Sequence, residues 1–399
     1  MNPKRRDLKI AVHSDSIFSQ SGYGVEIDLL VRRLLLEGFQ VAQIAKAGLY
    51  GHWIDYPLPE GTLRMYPTID DPHGASDAMF YGARHWGANV VISMIDVWVI
   101  NPQFIQSLKQ LGCKWIPYLP IDSAPPSPGN LRNLSLADKI ITFSKFGQQQ
   151  LKKQGFVSDM IYEGVDTNFL VPQDKIEARK KAGFPEDAFI WGMIAANKEN
   201  PPRKAFQESL EAFKVFNQAH PNSYLFIGTQ QISPGSFPIR DYAAYLGIQD
   251  KLIIPDQLYF SVMATREDIR TWLNAFDALL HPSATEGFGL TIVEAQACGV
   301  PVVANNVHSM SELVIDGKTG AFALPNRKFW TNANAYWEQP DPMTIYLAME
   351  KVFKMLRDNP QQVANDCRQN VLDNFDVDKI FKNQWLPMAE QAQIDILGQ

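Results

Sequence analysis

The chain has 399 residues, 46% of them hydrophobic and 20% charged, with a formal net charge of −6. That length exceeds one ordinary domain, and the composition is that of a globular protein with a large core, which excludes fibrous and disordered classes. The acidic balance gives no support to a polyanion-binding surface, so nucleic acid is a disfavoured partner, although a local basic groove stays open.

The opening residues, Met1-Asn-Pro-Lys-Arg-Arg-Asp, lack the apolar segment of a signal peptide, and no apolar run is long enough to cross a bilayer. The expectation is a cytoplasmic protein without a transmembrane segment. Lys4-Arg5-Arg6 reads as a solvated terminus, with contact to an anionic membrane surface as the alternative. Leu8 to His13 is expected to form a buried strand. Ser19-Gln-Ser-Gly-Tyr-Gly then leads into a helix with Val25, Leu29, Leu30 and Leu34 on its apolar face. Gly22 and Gly24 permit either a tight turn or a close approach of the backbone to a ligand. Further strands are expected at Val41 to Ala45, at Asn89 to Ser93 after a helix near 76–86, at Trp115 to Pro120 and at Lys139 to Ser144. The proline-rich loop Ile121-Asp-Ser-Ala-Pro-Pro-Ser-Pro follows the fourth of these strands. Asp122 there either orients a hydroxyl or contacts a sugar, or else caps the following turn.

Phe189 to Asn197 opens a second series of strands. The loop Lys198-Glu-Asn-Pro-Pro-Arg-Lys precedes a helix whose apolar face is Phe206, Leu210, Phe213 and Phe216. Adjacent cations at a helix entry oppose the macrodipole, and a bound diphosphate would reverse that penalty. Strands at Tyr224 to Gly228 and Lys251 to Pro255 come next, with helices expected near 341–357 and 376–395. Repeated strand-to-helix alternation implies parallel, doubly wound sheets. Cys113, Cys298 and Cys367 are far apart and read as reduced core thiols, and the seven histidines show no metal-ligand spacing.

Residues 281–305 carry the chemistry. An apolar run, Ala278-Leu279-Leu280, ends at Pro282-Ser283. A Gly-Phe-Gly loop then enters a helix from Leu290 to Cys298, Gly299 suits a C-terminal cap, and Val302 to Ala304 restarts a strand. Glu286 lies on the loop and Glu294 on the helix, with seven residues between them. Both are expected to face the crevice at the carboxyl ends of the strands, where α/β sheets bind ligands. The amides of Gly287, Phe288, Gly289, Leu290 and Thr291 lie at a helix N-terminus, which favours phosphate. A phosphate site flanked by carboxylates that accept from hydroxyls suits a nucleotide sugar.

Thr285-Glu-Gly-Phe-Gly-Leu-Thr-Ile-Val-Glu-Ala, followed by Ala-Cys-Gly-Val-Pro-Val-Val-Ala, resembles the donor motif of the retaining glycosyltransferases of family four. The resemblance implies a GT-B fold: α/β, two doubly wound Rossmann-like domains facing each other across a cleft. It places an acceptor-side domain at 1–171, joined by C-terminal helices at about 376–399, and a donor domain at 172–375. It implies transfer of a hexose from a UDP- or GDP-sugar to a hydroxyl of a glycan, lipid or small molecule, with retained configuration and no obligatory metal or cofactor. Glu286 would contact the transferred sugar and Glu294 the ribose. Arg203 and Lys204 would neutralise the diphosphate, with Lys198 competing for one of those roles because Asn-Pro-Pro alters the usual spacing. Gly22, Tyr23 and Gly24 match the family's first glycine loop near donor phosphates and acceptor, and Ile254 to Leu258 matches the loop beside the base. Where many relatives place a His, this chain has Pro120-Ile121-Asp122. In the family the leaving phosphate is thought to take the acceptor proton, so no protein base is required. The alternatives are a nucleotide-sugar-binding protein without turnover, a phosphorylase or epimerase on the same fold, and a glycosyltransferase acting on nucleic acid bases.

Overall fold

A computed structural model describes residues 7–68, 76–332 and 334–398; Lys4-Arg5-Arg6 lies outside them. Apolar runs alternate with glycine-containing turns along the whole chain, and they assemble into two compact units, Met1–Gly164 with Val377–Gln399, and Val165–Asp376.

In the first unit the strands are β1 Lys9–Ser14, β2 Gln40–Ala45, β3 Ile54–Leu58, β4 Gly61–Tyr66, β5 Val90–Met94, β6 Lys114–Leu119, β7 Ile141–Thr142 and β8 Asp159–Met160. They form one sheet in the order β3-β4-β2-β1-β5-β6-β7-β8. All neighbours are parallel except β3, which pairs antiparallel with β4. This edge hairpin has no counterpart in the strands expected from sequence. Its turn is Pro59-Glu60 ahead of Gly61, and the Asp55–Arg64 ion pair joins its strands. The helix Gly22–Leu36 buries Ile27, Leu30, Val31 and Leu34, whereas Val25 and Leu29 are only half-buried. The apolar stripe is therefore rotated from the expected one, toward the face that β1 and β2 require.

The second unit has β9 Phe189–Ile194, β10 Ser223–Gly228, β11 Leu252–Ile253, β12 Ala278–His281, β13 Val302–Asn305 and β14 Gly320–Ala323. They run in the order β11-β10-β9-β12-β13-β14, all parallel. Phe206, Leu210, Phe213 and Phe216 pack with Trp191, Leu280, Val303, Ile345 and Met349 in its core. A separate antiparallel hairpin, β15 Pro325–Trp330 and β16 Tyr336–Pro340, follows β14. Helices at Pro342–Asp358 and Pro360–Asn374 close the unit.

Residues 165–171, expected in the first domain, pack within the second unit. The Val165 amide donates to Phe375 O, and Arg368 donates to the carbonyls of Thr167 and Leu170. The returning C-terminal segment pairs Asp378 with Arg33 and sets Trp385 edge-on to Tyr118, with centroids 4.9 Å apart. Gly299 takes φ +79°, and the three cysteines are free and buried.

Candidate functional site

In the second unit, successive strands leave β9 in opposite directions, β10 on one side and β12 on the other. The loops after β9 and β12 therefore diverge at a topological switch point, which is where an open α/β sheet forms its ligand crevice. Those two loops carry the residues singled out from sequence.

Glu286 is the hub. Lys204 Nζ lies 2.5 Å from Glu286 Oε1, and an Arg203 guanidinium nitrogen lies 3.4 Å from Oε2. His281, at the end of β12, places Nε2 3.0 Å from Oε1; because an ionised carboxylate only accepts, that nitrogen carries the proton. Arg203 also donates to Thr285 O at 2.9 Å and pairs with Glu199 at 3.3 Å. The Ala284 amide donates to Arg203 O at 2.8 Å, and Ser309 Oγ donates to the carbonyls of Glu286 and Phe288. The loop is thus fixed at its carboxylate by Lys204, Arg203 and His281, and at its backbone by Arg203 and Ser309.

Glu286 is 7% exposed. Burial alone would raise its pKa, but the charges of Lys204 and Arg203 and the His281 hydrogen bond outweigh it and hold the carboxyl well below its ordinary range. For Lys204, burial and the Arg203 charge outweigh the attraction of Glu286, so its pKa falls. The carboxylate stays ionised, and the cations beside it are poised for further negative charge.

Glu294, 4% exposed, is paired with Arg266 at 2.7 Å. The helix that holds it, Leu290–Ala297, begins at Gly289 with no side-chain cap, so its first-turn amides face out of the N-terminus. Around Ile254 to Leu258, Gln257 exchanges two 2.8 Å hydrogen bonds with the Ile232 backbone, and Gln231 donates to Pro255 O. These contacts tie the loops after β10 and β11 together.

In the first unit the switch lies between β1, β2 and β5. Ser21 caps the helix Gly22–Leu36 by accepting from the Gly24 amide, and its hydroxyl donates to Asp15 at 2.6 Å. Gly24 is required by packing against the chain itself, since a Cβ there would fall 2.3 Å from Ser19 O. Burial first, then the negative charges of Asp96, Glu163, Asp122 and Asp15, push the Tyr23 hydroxyl pKa well above its ordinary value. Asp15, Asp96, Asp122 and Glu163 all follow strands of one parallel sheet and so crowd the same edge. Ser127, not Asp122, caps the helix Pro128–Leu134.

Arg203, Lys204, Glu286 and the residues from Gly287 to Thr291 are thus brought together, with Glu294 one turn further along. Lys198 is exposed, and Glu286 is held by Arg203, Lys204 and His281. His281, at the end of β12, is a partner of the central carboxylate. Sequence reasoning also missed Arg266, His308 and Ser309. His281, five residues before Glu286 in an apolar strand, was the one that sequence could have flagged.

Comparison with known proteins bears on this geometry. Residues 174–334 match the protein family described as glycosyl transferases group 1. The D-inositol 3-phosphate glycosyltransferase of Mycobacteroides abscessus is 33% identical over 181 residues, which are 44% of this chain and 38% of that protein. The corresponding protein of Mycobacterium leprae is 29% identical over 220 residues, 53% of this chain and 49% of that one. The chain thus spans less than half the length of these relatives. Sucrose-phosphate synthase from Thermosynechococcus elongatus superposes with a TM-score of 0.76 at 17% identity, covering 96% of this chain and 99% of that one. Anabaena HepE, crystallised with UDP and glucose, gives 0.67 at 17% identity, covering 96% and 100%. At such identities the likeness is one of fold.

Proposed function

We propose that this chain, whose residues 174–334 match the group 1 glycosyl transferases and whose fold is of GT-B type, is a family-four-type glycosyltransferase that moves a hexose from a UDP- or GDP-sugar to an acceptor hydroxyl with retained anomeric configuration. The observation that carries the reading is the clamp at the β9/β12 switch, where Lys204 and Arg203 flank an ionised Glu286 beside an uncapped helix N-terminus.

The difficult step is departure of a nucleoside diphosphate from a sugar that gains oxocarbenium character. Negative charge then grows on the phosphate oxygens. Arg203, Lys204 and the amides from Gly287 to Thr291 supply preorganised positive charge for it, which is worth most in a site that excludes water. Glu286 accepts from hydroxyls of the transferred sugar. Glu294, held by Arg266, accepts from the ribose, so both carboxylates position rather than attack. The leaving phosphate takes the acceptor proton on the same face. With two cations assigned to the diphosphate, the reaction proceeds without an obligatory metal ion. In the first unit, Asp122 is assigned to the acceptor side, and the glycine loop Gly22-Tyr23-Gly24 to the place where donor phosphates and acceptor meet.

Thermal unfolding with UDP, GDP, ADP or buffer tests the donor site. A nucleotide at a hundred times its Kd stabilises by about 2.7 kcal/mol, and Arg203→Ala/Lys204→Ala should lose that response. Turnover of the matching nucleotide hexoses with EDTA present, and the anomeric configuration of the product by NMR, test the rest. If none of the three nucleotides moves the midpoint at millimolar concentration, the reading fails.

A further inference from the structure

A parallel α/β unit has no structural need of an antiparallel hairpin after its last strand, and β15–β16 does little for the core. Trp330 and Tyr336, opposite each other near its tip, are 53% and 42% exposed. Its inner part is instead fastened to the loops of the site. The Glu338 amide donates to Ala284 O at 3.2 Å, and buried Asn305 donates both to Ser283 O and to Glu338 O. The Glu338 carboxylate lies 3.1 Å from Lys328 Nζ and 3.8 Å from His308 Nε2. His308 Nδ1 in turn meets Thr285 Oγ1 at 2.8 Å, and Thr285 O accepts from Arg203. The Arg203 guanidinium also lies 6.0 Å from the centre of the Trp337 ring, which packs edge-on to Phe329.

Two independent lines therefore run from the hairpin to the same guanidinium, one through the ring of Trp337 and one through Glu338, His308 and Thr285. An arginine with a carboxylate on each side has several ways to pair. An aromatic face restricts it to one plane without neutralising its charge. We infer that the β15–β16 hairpin is a working part of the donor site, with Trp337 and Glu338 as positioning residues that aim Arg203 and the Thr285–Glu286 loop at the donor's outer phosphate. The inference rests on the donor reading of Arg203 and deepens it.

Calorimetric titration of the full chain tests it, using whichever of UDP, GDP and ADP the wild type binds and the matching monophosphate. Trp337→Ala should weaken the diphosphate by about tenfold and the monophosphate by less than about twofold, and Trp337→Phe should restore the preference. Glu338→Gln should shift the same ratio by about threefold. A hairpin with only a structural role would lower the melting temperature of Trp337→Ala and leave the diphosphate-to-monophosphate ratio unchanged, which would overturn the inference. If Trp337→Ala does not fold, an unchanged ratio in Glu338→Gln overturns it equally. A wild type that binds none of the three nucleotides removes the donor reading itself, an outcome distinct from a wild type that binds and variants that match it.

Discussion

The two units share one architecture and carry opposite charge at corresponding places. At the switch of the second, Arg203 and Lys204 flank the buried Glu286 carboxylate, next to a helix N-terminus. At the edge of the first, the negative charges of Asp15, Asp96, Asp122 and Glu163 all act on the Tyr23 hydroxyl. A parallel sheet whose strand order reverses produces a crevice whatever its sequence, because the loops diverge there. What the crevice accepts is decided by a few loop residues. A phosphate would be attracted by the cations of the second and repelled by the carboxylates of the first.

The hardest test of that contrast is to erase the positive charge. Arg203→Ala/Lys204→Ala should reduce turnover by about a thousandfold, since single preorganised donors are each worth about a hundred- to a thousandfold. A loss of less than about tenfold in steady-state kinetics would mean that the two cations do not carry the diphosphate.

Glu286→Gln comes next. Breaking a buried ion pair typically costs about 3 kcal/mol or more, to be read from denaturant midpoints at neutral pH. The folded pKa of Glu286 is depressed below its ordinary value of 4.5. Its contribution is therefore fully present above about pH 4.5, where the carboxyl is ionised in both states, and is lost as pH falls through the lower folded pKa. The stability gap between wild type and variant should accordingly close below pH 4.5, and a gap that persists into strong acid would contradict the ion-pair account.

Smaller effects separate the two units. Gly24→Ala drives a Cβ into backbone carbonyls of Ser19 and Ser16 and should cost about 1–3 kcal/mol of stability. The increment that nucleotide adds to the melting temperature should survive in that variant. Asp122→Asn should leave nucleotide affinity within about twofold, under about 0.4 kcal/mol, in a direct titration. A larger change in either would show that the first unit takes part in holding the nucleotide.

Most of the fold was legible because its signals are local. Phe206, Leu210, Phe213 and Phe216 of the helix Phe206–Ala219 recur at steps of four and three, and all are buried where the periodicity put them. The helix Gly22–Leu36 was read with its stripe misplaced, since leucines cover more than one face and only packing against β1 and β2 selects Ile27 and Val31 over Val25 and Leu29. Both antiparallel hairpins escaped. β3 is mostly exposed and β15 carries Asn, Arg and Lys, so neither presents a clean alternation of apolar and polar residues.

By itself the sequence determined the two-unit α/β plan and the placing of Glu286, Gly287 to Thr291 and Glu294 on one loop and helix, because residues close in the chain must stay close in space. Only the tertiary structure decided which distant groups meet them. Arg203 and Lys204 lie 83 and 82 residues from Glu286 and reach it because β9 and β12 are neighbours in the sheet. Arg266 reaches Glu294 from another helix, and Glu338 reaches Ala284 from a hairpin beyond the sheet. No spacing along the chain encodes such pairings. They follow from strand order, which is set by the burial of whole apolar faces and not by the charged side chains that benefit from it.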